Sequence, residues 1–189
     1  MKNRAVLKGF ITAFLFGCLV CFWIKIGFMF LADVFSAKSE TALENLDFSR
    51  SLKYSSEAIE LNPQEPAYYR RRAKILLLSS SKKDALKDIS VAIELNPKNL
   101  ATLRNSIPLM YFLALQNLTE ETVDLNYLPK TREFYLYLFE TYPNDAGVLV
   151  SLAYYQRKLG LKEDLDQTLH RISQLRLDLL EWHPLLVVE

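Results

Sequence analysis

The sequence predicts an all-α chain: one membrane-spanning helix at the amino terminus, followed by stacked helix–turn–helix repeats. Three observations predict this. The hexapeptide Ala58-Ile59-Glu60-Leu61-Asn62-Pro63 returns 34 positions later as Ala92-Ile93-Glu94-Leu95-Asn96-Pro97. A fixed period of roughly 20–50 residues marks a chain built of one repeated supersecondary unit. The 16 residues from Gly9 to Ile24 carry no charge. Only 5 glycines stand among 189 residues, too few for the tight turns that an all-β fold needs.

Charge separates two physical objects. Residues 1–33 hold Lys2, Arg4, Lys8 and Lys25 against Asp33, a net of +3, while the whole chain is +1. The chain therefore lacks the basic excess expected of a nucleic-acid binder. The uncharged run extends to about 30 Å of helix if it starts at Ala5 and Lys8 reaches back to the near interface. Trp23 and Lys25 then sit at the far interface. Phe30 and Phe35 stand two places before Ala32 and Ala37, where a signal peptidase needs small residues, so the segment reads as an uncleaved anchor. Bulky Phe16 likewise spoils Leu15-Phe16-Gly17-Cys18 as a lipoprotein signal. Positive charges before the span put the amino terminus in the cytoplasm and residues 34–189 on the other side. Cys18 and Cys21, the only cysteines, have redox spacing but lie inside the apolar run, where they read as small packing residues.

The remaining elements follow the period. Residues 46–65 match residues 80–99 at 9 of 20 positions. Pro63 and Pro97 each stop an amphipathic helix, because proline cannot continue the hydrogen-bond ladder. Pro66 suits a first turn, where its missing donor costs nothing. The clearest unit is 66–99, with helices over about 66–78 and 82–95 and a turn at Ser79-Ser80-Ser81. This unit resembles a tetratricopeptide repeat (TPR). Tyr69 stands at that family's bulky aromatic place, Ala73 and Ala85 at its small crossing places, and Ala92 and Pro97 at its closing signature. Ser51 takes the small place of the unit before, whose first helix, about 34–45, grows out of the span.

Downstream the pattern degrades. A third unit starts near Leu100, where Pro108 is expected to kink or split the helix. The next closing proline, Pro143, comes 46 residues after Pro97, so this unit carries a 12-residue insertion, with a polar loop at 119–124 and a helix resuming near Lys130. Asn117-Leu118-Thr119 is a glycosylation acceptor pattern. A fourth unit covers 146–177, with Leu149, Ala153, Leu165 and Ile172 inward and a turn at Gly160. The domains are thus 1–33 (tip and anchor), 34–177 (repeats) and 178–189 (cap or tail).

Catalytic material is scarce. His170 and His183 have no metal-ligand spacing, and the glycines never cluster into a phosphate loop. The expectation is no enzyme, no cofactor and no metal. The TPR resemblance implies protein or peptide binding in a concave groove lined by the first helix of each unit. Arg70, Lys74, Arg104 and Asn105 fall on that face, with Ala67 and Leu77 beside them, and partly resemble the carboxylate clamp of TPR co-chaperones. Gly147 and Ser151 stand where that clamp needs further cations. The partner is expected to be a protein or peptide that is acidic or has a free carboxylate, with Tyr68, Tyr69 or the apolar segment 109–115 as the rival surface. Arg72 replaces a usually aliphatic residue and is expected to pair with an acid of the first unit. The expected role is interaction or scaffolding of an envelope assembly. The alternatives are an organelle import receptor, which needs the opposite topology, or an accessory of surface-polysaccharide assembly.

Overall fold

The computed structural model describes residues 2–117 and 122–175, with side chains from residue 14 onward. Two compact units divide at Tyr68 and Tyr69.

The first unit is built on α1 (Lys2–Glu44), a single uninterrupted helix of 43 residues. Its apolar part contains the one helix among the described residues that is long and apolar enough to cross a membrane. The second helix, α2 (Phe48–Leu61), folds back on α1. The two approach closely because Ser39 and Ser51 are small, and each hydroxyl donates to the other residue's carbonyl at 2.8 Å. Phe35 stacks on Tyr54 at the same seam. Asp33, the first acid after the apolar run, accepts a 2.5 Å hydrogen bond from the Tyr68 hydroxyl. Burial first, and then the Asp33 carboxylate, push the Tyr68 phenol above its ordinary range.

The second unit stacks helical hairpins: α3 (Pro66–Leu78) with α4 (Lys82–Leu95), α5 (Leu100–Leu113) with α6 (Leu128–Thr141), and α7 (Ala146–Lys158) with α8 (Lys162–Leu175). The first hairpin and the turn at 79–81 fall where the period predicts. Ala73, Ala85 and Ala92 are fully buried, as short side chains at close helix crossings must be. The core continues through Leu103, Ile107, Leu113, Leu138 and Leu152. The second and third of these hairpins start on the same local chemistry. Asn99 and Asp145 accept from the backbone N–H three residues on, at 2.8 Å each, capping α5 and α7. Stacking is tied through the turns between hairpins: Tyr142 donates to the Lys98 carbonyl at 2.9 Å and Arg171 to that of Pro143 at 3.0 Å.

Three expectations are corrected. Helix α5 is not split: it runs unbroken through Pro108, because burial of Leu103, Ile107, Leu109 and Met110 outweighs one missing backbone bond. The insertion is not only a loop, since β1 (Leu115–Asn117) and β2 (Thr122–Val123) pair antiparallel within it; residues 118–121, half of the expected polar loop and part of the glycosylation pattern, lie outside the described residues. Arg72 forks onto Asp88 of its own hairpin, with bonds of 2.7 and 2.8 Å, where an acid of the first unit was expected. Asp88 is buried and would be costly alone, and the bidentate bond holds the Arg72 proton more tightly than usual. The expected tail, 178–189, also lies outside the described residues.

The hairpin of the insertion is anchored by one ion pair. Lys82, the first residue of α4, meets the Asp124 carboxylate at 2.6 Å, and the Asp124 backbone N–H donates to the Ala114 carbonyl. Asn126 adds two bonds to the other carboxylate oxygen. Lys82 chiefly holds the Asp124 carboxyl below its ordinary range.

Candidate binding surface

The first helix of each hairpin in the second unit carries the residues singled out above. On α3, Arg70 is half-buried and Lys74 exposed, one turn apart. Arg70 is already engaged by neighbouring groups. On α5, Arg104 and Asn105 are both exposed. Leu77, expected to line the groove, is instead buried in the core with Ala73 and Ala85. Leu77 stands four residues after Ala73 and so shares its buried face.

Arg104 is placed by a residue that carries no side chain. A Cβ added at Gly147 would lie 2.9 Å from Arg104 Nη1 and 3.7 Å from its Cδ, so the guanidinium rests on the first turn of α7. The same point lies 3.3 Å from Asp145 Oδ1. A cation beside a helix amino terminus opposes the helix dipole, and the Asp145 carboxylate offsets that. Gly147, which seemed to be a missing cation, is thus the seat of the cation one unit earlier.

Aromatic rings gather at the other end of α5 and α7. Tyr111 and Tyr155 have ring centroids 4.9 Å apart, and Tyr154 meets Tyr155 edge-on at 4.9 Å. Lys158 Nζ stands 5.6 Å from the Tyr111 ring and 5.7 Å from the Tyr154 ring, within cation–π range. Burial raises the Tyr155 phenol above its usual range. Phe112 leaves its ring exposed beside this group. From Arg104 to Phe112 is about 12 Å along the helix, the span of three or four residues of extended peptide.

Most of the rival surface is buried, Tyr69 and Phe112 excepted. Leu109, Met110, Tyr111, Leu113, Ala114 and Leu115 are all buried, leaving Phe112 alone of segment 109–115. Tyr68 is also buried and committed to Asp33. Sequence reasoning missed Tyr154, Tyr155 and Lys158. The available signal was the recurrence of adjacent aromatics on first helices, at 68–69, 111–112 and 154–155.

No family model matches this chain, and neither does any curated protein sequence. Solved structures do resemble it. The first TPR of Spaghetti (RPAP3), bound to the HSP90 peptide SRMEEVD, aligns with a TM-score of 0.51 at 15% identity, covering 70% of this chain and 98% of its own. The Arabidopsis OM64 TPR domain aligns at 0.48 and 17% identity, covering 69% of this chain and 98% of its own. At such identities the likeness speaks for the fold, which is TPR-like.

Proposed function

We propose that the chain is a membrane-anchored peptide-binding protein that holds an acidic partner against the first helices of its repeats. It serves an interaction or scaffolding role rather than a catalytic one. The observation that carries this is Arg104, exposed and seated on Gly147, with the accessible rings of Phe112 and Tyr154 one peptide-length away. A cation held at one end and aromatic faces at the other suit a short acidic segment with an apolar residue three or four positions from its charge. The TPR of Spaghetti (RPAP3), whose fold this chain shares, was solved with the acidic peptide SRMEEVD. Lys74 and Asn105 extend the surface. Arg70 does so only by giving up its present contacts.

Lys74 and Arg104 are the residues to reverse, because both are exposed. Lys74→Glu with Arg104→Glu is expected to weaken capture of an acidic peptide at least tenfold at moderate salt, with helicity unchanged. Charge-assisted bonds contribute roughly 1.5–3 kcal/mol each. Wild-type affinity should also fall as ionic strength rises. Unchanged affinity in the double variant would remove the acidic-peptide assignment.

A further inference from the structure

Helix α1 has two sides with different fates. One side, bearing Ala32, Ser36 and Ser39, is buried within its own unit. The apolar stretch faces outward all round along its described residues. From Phe14 to Leu31 every side chain is exposed, and a Cβ added at Gly17 or Gly27 would have no atom within 4 Å. At about 100° per residue, Gly27, Leu31, Val34, Lys38, Thr41 and Asn45 lie in one stripe with alternating spacings of four and three. The last four of these line an open groove of about 530 Å³ between α1 and α2, with Ala37 and Tyr54 on its apolar floor. One stripe therefore leaves the apolar segment and enters a groove without a break.

We propose that a second copy of the chain occupies this stripe, so that two α1 helices pack in parallel from the bilayer up into the groove. The inference rests on the membrane-anchored reading. Whatever fills the stripe must itself be a helix that continues from lipid into water in step with α1, and α1 is such a helix over 43 residues. Two copies inserted in the same direction can close only about a two-fold axis along the membrane normal. That axis sets Gly27 against Gly27, where the missing side chains let the backbones approach.

The groove offers charges of both signs, two cations and one carboxylate. Lys38 stands on α1, while Arg50 and Asp47 stand on α2, with Arg50 and Asp47 paired at 3.3 Å. The Ser39–Ser51 contact fixes the level of the two helices. Asp47 is four residues from Ser51, about 6 Å along α2, within reach of an extended lysine. Each copy's Lys38, entering the opposite groove, meets that Asp47.

Cysteine cross-linking of the full chain in its own membranes tests the pairing. Cys18 and Cys21 lie about 180° and 120° round the helix from Gly27, so the wild-type chain should not cross-link through them. In a Cys18→Ser, Cys21→Ser background, Gly27→Cys, Val34→Cys and Thr41→Cys should each give disulfide-linked dimer on oxidation. The yield should be at least tenfold above Glu40→Cys, which is exposed and lies about 140° from Gly27. Gly27→Leu should reduce Val34→Cys cross-linking at least tenfold. Equal yields at all positions, or no dimer while the chain stays in alkali-washed membranes, would overturn the second copy. Adducts at the seam positions to a protein of another mass would overturn it in favour of a foreign helix. Release of the chain by the alkaline wash would instead defeat the anchor on which the proposal stands.

Discussion

The backbone turns left-handed at Leu46, Ser80 and Gly160, with φ of 58°, 63° and 70°. At each, the next residue's N–H reaches back five positions, to the carbonyls of Ala42, Leu76 and Gln156, a helix stop that favours glycine. Ser80 follows Leu46 by 34 residues, and Gly160 follows Ser80 by two periods plus the 12-residue insertion. The repeat is therefore written in the backbone more regularly than in the residues, since only the last stop uses the expected type. A leucine held left-handed costs roughly 1–2 kcal/mol, and Leu46 is 74% exposed, so it recovers little of that by packing. Leu46→Gly should stabilise the full chain by roughly 0.5–1 kcal/mol after the added freedom of the unfolded chain is counted. Thermal unfolding in detergent should show a higher Tm, and a lower one would mean that Leu46 supports the first hairpin in some other way.

Among the elements, the course of the α3–α4 hairpin was legible, because its signals are local: a proline at each end, small residues at crossings and a serine turn. Ala85 lies at such a crossing and is fully buried. Ala85→Leu should overpack it and lower stability by roughly 1–3 kcal/mol, read as a drop in Tm. An unmoved Tm would contradict the close packing of α3 and α4. The insertion was legible only as extra length. Its strands are two and three residues long, too short for an alternating pattern, and its anchor joins residues 42 positions apart. The partner of Arg72 was missed for the same reason, since sequence spacing does not reveal which acid a neighbouring helix presents. The Lys82–Asp124 bond also gives the hairpin a pH dependence. The Asp124 carboxyl is lowered in the folded chain, so the unfolded chain binds the extra proton first. Its stabilisation is complete above the ordinary carboxyl range, near pH 4, and is lost as pH falls below it. The protection factors of the Leu115–Asn117 amides should fall below about pH 4, and Lys82→Met should produce the same loosening at neutral pH. Protection unaffected by either change would assign the hairpin's hold to its backbone bonds.

For the molecule as a whole, the TPR-like helical fold and the long apolar helix were legible from period and charge. The exposure of the proposed surface was legible in part. Arg104 and Asn105 are exposed as the repeat register implied, whereas the seat on Gly147 and the ring cluster depend on how α5 meets α7. Topology belongs to this scale too. With Lys2, Arg4 and Lys8 ahead of the span, a reporter fused after Glu189 should be active only outside the cytoplasm. Cytoplasmic activity would invert the orientation and favour the import-receptor reading.

The unbroken course of α1 from the apolar segment to Glu44 has a mechanical consequence. A head on a Gly/Ser tether searches a volume set by the tether's random-coil reach, but here no tether intervenes between the apolar segment and the α1–α2 hairpin. The hairpin moves only as the rod moves. Tilting the rod to suit a thinner or thicker bilayer must swing the hairpin through the same angle. On the membrane-anchored reading proposed above, lipid thickness thus becomes a control on the angle of the α1–α2 hairpin to the membrane.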